Sequence, residues 1–237
     1  MIDFHSHILP EIDDGSHSIE ESLWLLFLEH KHGVSKVVAT PHFYAERDAF
    51  DLFRHRREES IARLREGMLG WEAVPALHIG AEVYYFPGIW EAQALPQLCI
   101  EGTSVLLLEL PYIQWTQEIK DDIQKIITKR GLTVMLAHVD RYYELQQDKR
   151  VWNEVFQLPI YAQINGDSLL DRKSRKFSLR FLKKHLAVLG SDCHDREART
   201  PNLYEARMEI LKKLGQKKLA QIDDLSEQIL KGYGKKL

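Results

Sequence analysis

The sequence predicts one α/β domain whose parallel strands curl into a closed or nearly closed barrel, and three observations predict it. Strand-like apolar runs alternate with helix-like segments along all 237 residues, the order that βα units and a parallel sheet require. Ligand-type side chains stand where these runs stop, from His5-Ser6-His7 near the start to Asp192-Cys193-His194 near the close. Groups on the first and last strands share one site only if the sheet curls round, and in parallel barrels site residues gather at the C-terminal strand ends. Finally, no Gly/Ser/Pro-rich linker or composition shift divides the chain, so 1–237 reads as a single domain.

After the opening strand, Ser18-Ile19-Glu20-Glu21 reads as a capping box that starts a helix running to about Gly33. A second strand covers about 35–40, and a charged amphipathic helix about 51–69. The basic residues at 54, 56, 57, 63 and 65 alternate with acids and hydrophobes and read as a solvated helix face. Strands follow at 76–82 and 104–109. Helices near 117–130, 150–157, 172–185 and 201–214 then alternate with strands near 133–138, 160–165 and 187–191, which makes seven strands. Leu219, Ile222, Leu225, Ile229 and Leu230 recur at helical spacing, so 218–231 is expected to pack across the barrel as a final helix.

Lys+Arg number 32 against 35 Asp+Glu, a formal net charge of −3, which argues against a dedicated nucleic-acid or anionic-membrane surface. The chain enters Ile2-Asp3-Phe4-His5 without a basic and apolar leader, and no apolar stretch approaches spanning length. A cytoplasmic protein with no membrane insertion is the expectation. Cys99 and Cys193 are too few for a disulfide framework, so reduced thiols are expected.

Side chains at i and i+2 of a strand share a face, so His5 with His7, and Asp192 with His194, each aim two ligand-type groups at one place. His42, Glu82, Glu109 and His138 each end a β-rich run, and Asp14 lies in the loop after the first cluster. Five imidazoles and four carboxylates exceed what one ion uses; they suit two or three divalent ions of the Zn, Mn or Fe kind rather than Ca or Mg. Clustered ions of this kind activate water and neutralise phosphoryl or carbonyl oxygens, so hydrolysis is the expected reaction class. Arg141 and Arg199 follow strand ends in loops facing the same mouth, where a guanidinium can hold phosphate oxygens. His17, His30, His32, His55, His78 and His185 fit ordinary packed or surface roles and are left out.

Several motifs together carry a resemblance: His5-Ser6-His7-Ile8-Leu9-Pro10 with Asp13-Asp14-Gly15, Thr40-Pro41-His42, Gly80-Ala81-Glu82-Val83-Tyr84-Tyr85, Ala137-His138-Val139-Asp140-Arg141-Tyr142 and Ser191-Asp192-Cys193-His194. The chain resembles the polymerase-and-histidinol-phosphatase (PHP) superfamily. Within it, it is similar to the bacterial manganese-dependent tyrosine-protein phosphatases of capsular and exopolysaccharide operons. The resemblance implies a distorted (β/α)7 barrel with three metals, Mn2+ foremost and Fe or Zn as alternatives. It implies that His5, His7, Glu82 and Asp192 hold one ion, that Glu82 bridges to a second with Glu109 and His138, and that Asp14, His42 and His194 hold the third. Arg141 and Arg199 would contact phosphate, although the loop Asp195-Arg196-Glu197-Ala198-Arg199-Thr200-Pro201 departs from the family's Gly-Arg-Pro form. The implied partner is a tyrosine-phosphorylated protein, the tyrosine-rich tail of a bacterial tyrosine autokinase.

Cys193 and Arg199 also have the Cys-x5-Arg spacing of the unrelated cysteine-dependent tyrosine phosphatases. The five residues between them contain no glycine and two acids, which oppose both phosphate and thiolate, so covalent cysteine catalysis is not expected. The rival readings are a small-molecule phosphatase, such as one acting on histidinol phosphate, and a non-catalytic, metal-stabilised phosphopeptide-binding module. Phe43, Tyr44, Tyr84, Tyr85, Tyr112, Trp115 and Tyr142 lie near strand ends as candidates for an aromatic rim or for packing between loops. Asp140, beside His138, reads as a solvent-facing loop acid, with a partner behind the ligands or a proton donor as the alternatives.

Overall fold

A computed structural model describes residues 1–72, 74–185 and 187–232. Strand β1 (Ile2–Ser6) leads to helix α1 (Ile19–Lys31), capped where the Ser18 hydroxyl accepts from Glu21 N at 3.2 Å. Glu21 reaches back to His17 N at 2.8 Å rather than to the N–H of the cap residue, so the predicted box closes one residue early.

Two of the predicted strands are each broken in two. Strand 35–40 continues as β2 (Lys36–Ala39) and β3 (His42–Phe43), and strand 76–82 as β4 (Ala76–Ile79) and β5 (Glu82–Tyr84), with α2 (Phe50–Gly67) between them. Pro41 has no N–H for a ladder, and Gly80 has no side chain to pack, so the chain kinks at both. The kink at Gly80 bares a carbonyl, and Arg57 turns inward to donate to it at 2.9 Å and to Gln97 O at 3.0 Å. Arg57 is therefore buried and not part of a solvated face.

The remaining elements are α3 (Leu95–Leu98), β6 (Val105–Glu109), α4 (Gln117–Arg130), β7 (Thr133–Leu136), α5 (Arg150–Val155), β8 (Tyr161–Asn165), α6 (Gly166–Leu170), α7 (Arg175–Lys184), β9 (Ala187–Gly190), α8 (Leu203–Leu214) and α9 (Gln216–Leu230). The predicted helix over 172–185 is only α7. Asp171 accepts from the N–H groups of Lys173 and Ser174 and so ends one helix and starts the next.

All the strand pairs are parallel. β1-β2-β4 form one sheet, and β3-β5-β6-β7-β8-β9 form another. The kinked strands pass from the first sheet into the second. Beyond β9, Asp192 N donates to His5 O (2.8 Å) and His7 N to Cys193 O (2.9 Å), joining the sheets again. Ile2, Phe4, Val38, Val105, Leu107, Met135 and Val188 form a small apolar cluster with Ile229, so the last helix covers the ends of the strands where they begin. The larger core lies between the strands and the other helices.

The pairing of β1 with β2 contains a bulge: Asp3 pairs with Val37 and Ser6 with Ala39, leaving Phe4 and His5 opposite Val38 alone. Phe4 joins the small apolar cluster while the next side chain, His5, also turns inward, to the site. Among the described residues no helix is long and apolar enough to cross a membrane.

Candidate metal and phosphate site

The nine predicted ligands come together where the strands end. Glu82 Oε2 lies 3.1 Å from His5 Nε2, 3.3 Å from His7 Nε2 and 3.0 Å from His42 Nδ1. His138 Nε2 reaches Glu82 Oε1 at 2.8 Å and Glu109 Oε1 at 3.6 Å. Asp14 Oδ1 is 3.5 Å from both His42 Nε2 and His194 Nε2, and Asp192 Oδ1 is 3.6 Å from His5 and 3.5 Å from His7. Three overlapping groups have donor atoms close enough to share an ion: His7 with Asp14, His42 and His194; His5 with His7 and Asp192; and His42 with Glu82 and Glu109.

The donor set fits cations. Glu82 Oε2, Glu109 Oε2, His42 Nδ1 and His138 Nδ1 are buried and make no hydrogen bond. The Nε2 atoms of His5 and His7 face one another at 3.1 Å while their Nδ1 atoms are engaged elsewhere, by Gln163 Oε1 (3.1 Å) and Asp13 Oδ2 (2.8 Å). If Nδ1–H is the donor in each ring, two Nε2 lone pairs point at one place, which is stable only with a cation or a proton between them. His194 Nδ1 is likewise engaged by Asp192 O at 3.0 Å, leaving Nε2 toward Asp14.

Protons take up part of this role when cations do not. Burial disfavours the imidazolium of His5, but the charges of Glu82 and Asp192 outweigh it and raise its pKa; Asp13 and Glu82 raise that of His7 further. Burial, then the Glu82 charge, pushes Glu109 up to about 7. A group whose folded pKa lies above its unfolded value stabilises when protonated and loses that contribution as pH climbs. The Tm of the metal-free protein is therefore expected to fall from about pH 6.5 to about pH 8. His138, brought down to about 4 chiefly by burial, and His194, also lowered, act with the opposite sign, but only below the ordinary imidazole range. A divalent cation held by these residues would compete with the site's protons, so loaded protein should show no such fall; a metal-free Tm that climbs across this window refutes the assignment.

Both arginines converge on Asp192: Arg141 Nη2 on Oδ2 and Arg199 Nη2 on Oδ1, each at 2.6 Å. Asp195 Oδ1 accepts from the N–H groups of Glu197, Ala198 and Arg199, folding the loop so that Arg199 returns to His194 Nε2 at 2.8 Å. A loop that departs from the Gly-Arg-Pro pattern thus still delivers its guanidinium to the site.

Three further groups escaped the sequence reading. Gln163 Oε1 accepts from His138 N at 2.6 Å besides engaging His5, and Gln163 Nε2 donates to Asn165 Oδ1 at 2.7 Å. Asn165 Nδ2 in turn donates to Asp192 Oδ2 at 2.8 Å. These two buried amides and Asp13 orient the ligands. The available signal was Gln163-x-Asn165, the same i, i+2 spacing as His5 and His7, on a strand that supplies no ligand of its own. Gly190 makes room for them, since a Cβ there would come within 2.6 Å of His5 Cβ and 2.7 Å of Gln163 Nε2.

Asp140 is not a free loop acid: its Oδ1 accepts from Asn165 N at 2.9 Å, and burial pushes it up to about 7. Of the aromatic candidates, Phe43, Tyr85, Trp115 and Tyr142 are core residues. Tyr112, 45% exposed, stands at the mouth with its hydroxyl 3.3 Å from Arg141 and its ring stacked toward His138. Tyr44 packs on His42, and Tyr84 on Tyr44. Cys193 is fully buried, and burial followed by the Glu29 and Asp3 charges pushes its thiol well above the usual range, so no thiolate faces the arginines.

The fold and site define a class: an α/β protein of parallel strands whose C-terminal ends carry a candidate polynuclear metal site, with two guanidinium groups beside it. The chain belongs to the capsular polysaccharide synthesis CpsB/CapC family, whose model matches residues 1–230. It is 28% identical to the tyrosine-protein phosphatase CpsB of Streptococcus agalactiae serotype III (strain NEM316), covering 98% of this chain and 99% of that protein. It is 29% identical to CpsB of Streptococcus pneumoniae over 94% of each. A solved structure described as YwqE from Bacillus subtilis and CpsB from Streptococcus pneumoniae, metal-dependent tyrosine phosphatases, shares the fold, with a TM-score of 0.86, 22% identity, and 98% of this chain and 95% of that chain covered.

Proposed function

We propose that this chain is a metal-dependent protein-tyrosine phosphatase that works as one domain, a distorted (β/α)7 barrel. The observation that carries the reading is Glu82 Oε2, a buried carboxylate oxygen ringed by His5, His7 and His42 nitrogens with no hydrogen bond of its own. The family and the named tyrosine-protein phosphatases it resembles support the substrate class.

In this reading His5, His7, Glu82 and Asp192 hold one ion, Glu82, Glu109 and His138 a second, and Asp14, His42 and His194 a third, with Mn2+ the expected metal. When bound, such ions supply Lewis acidity and lower the pKa of water for attack on phosphorus. Arg141 and Arg199 hold the non-bridging phosphoryl oxygens, and Asp192 keeps both guanidinium groups aimed at the mouth before substrate arrives. Tyr112 borders the path of the leaving ring and shields the site from water on that side. Phenolate, with a pKa of about 10, leaves with little help from an acid. The expected partner is a tyrosine-phosphorylated bacterial autokinase in the cytoplasm.

The test is phosphate release from a tyrosine-phosphorylated peptide by wild type and Cys193→Ser, each chelated and then reloaded with Mn2+. Both should lose activity on chelation and regain it on reloading. Activity that survives complete metal removal, or that disappears in Cys193→Ser with metal content intact, refutes the reading.

A further inference from the structure

On the side facing α1 lies a second buried polar cluster: Asp3, Glu29, Ser191 and Cys193. A bulge leaves a backbone N–H out of the strand ladder, and here Asp3 Oδ1 accepts that of His5 at 3.1 Å. The same oxygen accepts from Ser191 N at 2.9 Å, and Asp3 Oδ2 accepts from Ser191 Oγ at 2.5 Å. Ser191 Oγ also accepts from Cys193 N at 3.2 Å. One carboxylate thus ties the bulge that turns His5 inward to the strand exit that carries Asp192 and His194.

We propose that Asp3, acting with Ser191, is a positioning residue that sets the metal affinity of the site by locking its first and last ligand-bearing segments in register. The clamp is specific in its geometry. Asp3 and Ser191 join main chain to main chain across residues 188 apart, and the backbone bonds Asp192 N to His5 O and His7 N to Cys193 O lie beside them. Releasing it frees His5 and His7 to shift against Asp192 and His194, and a ligand set held less closely binds its ion less tightly. Glu29 faces the clamp from α1, fully buried beside Asp3 and Ser191, its carboxyl pushed well above the usual range by burial and the Asp3 charge, but it takes none of the backbone N–H groups that Asp3 holds.

The inference rests on the metal-site reading above, and wild-type protein that binds no Mn2+ removes both. Where wild type does bind, Kd for Mn2+ by chelator competition, and the Mn2+-induced rise in Tm, are compared for Asp3→Asn, Ser191→Ala and Glu29→Gln. Asp3→Asn is expected to weaken binding about 10–100-fold, and Ser191→Ala, the milder change, at least several-fold. Glu29→Gln should stay within about threefold of wild type. If Asp3→Asn and Ser191→Ala lower the metal-free Tm but leave Kd unchanged, the cluster is only structural and the proposal fails. A Kd loss in Glu29→Gln equal to that in Asp3→Asn would assign the effect to the buried charge pair and overturn the clamp.

Discussion

Glu82→Gln is expected to abolish stoichiometric manganese binding and lower phosphatase turnover about a thousandfold, the equivalent of several kcal/mol of lost charge stabilisation. Both carboxylate oxygens are in use: Oε1 lies toward His138, and Oε2 toward His5, His7 and His42. Glutamine keeps the size but removes the charge and puts an NH2 donor where a cation would sit. The metal-free fold should lose some stability, because the Glu82 charge raises the pKa of His5 and His7 and holds their protonated rings, a loss only partly offset by relief of Glu109 nearby. Elemental analysis after dialysis against Mn2+, with turnover and metal-free Tm on the same sample, checks this. Full metal content with turnover within tenfold of wild type would remove Glu82 from its bridging place.

Arg141→Ala should lower kcat on aryl phosphates about 10²–10³-fold, or about 2.7–4 kcal/mol, with metal content unchanged. Its guanidinium is held by Asp192 and by the Tyr112 hydroxyl, and in the proposed mechanism it meets the charge that grows on phosphoryl oxygens. Asp192 does not lose its orientation with Arg141, because Asn165 and Arg199 hold it too. The loss should therefore appear in kcat more than in metal binding. Arg141→Lys restores charge but not the fork that can hold two oxygens, and should recover only part of the rate. Steady-state kinetics on metal-verified samples decide it: kcat within threefold of wild type in Arg141→Ala would leave that guanidinium no part in the chemistry.

The alternation of strands and helices was legible because each βα unit writes its own period into the chain, 2 in the strand and 3.6 in the helix. Helix α4 spans Gln117–Arg130, the residues its pattern predicts. The kinks at Pro41 and Gly80 were harder to read. A proline or glycine at a strand end resembles an ordinary terminus, and only the neighbouring sheet shows that the chain continues beyond it. Arg57 was misread for a related reason: helical spacing places a residue on a face but does not reveal a bare carbonyl across the gap.

The site divides along the same line. The sequence by itself determined which residue types stand at strand ends, and hence that His5, His7, His42, Glu82, Glu109, His138, Asp192 and His194 could meet, because strand direction and ligand chemistry are local properties. Tertiary structure alone decided how they are held. The bulge that turns His5 inward, the Gln163-Asn165 amides behind the imidazoles, the return of Arg199 and the Asp3 tie between β1 and Ser191 depend on hydrogen bonds between segments far apart in the chain. Such bonds are set by register and by the desolvation of buried polar groups, which exist only after the strands have packed.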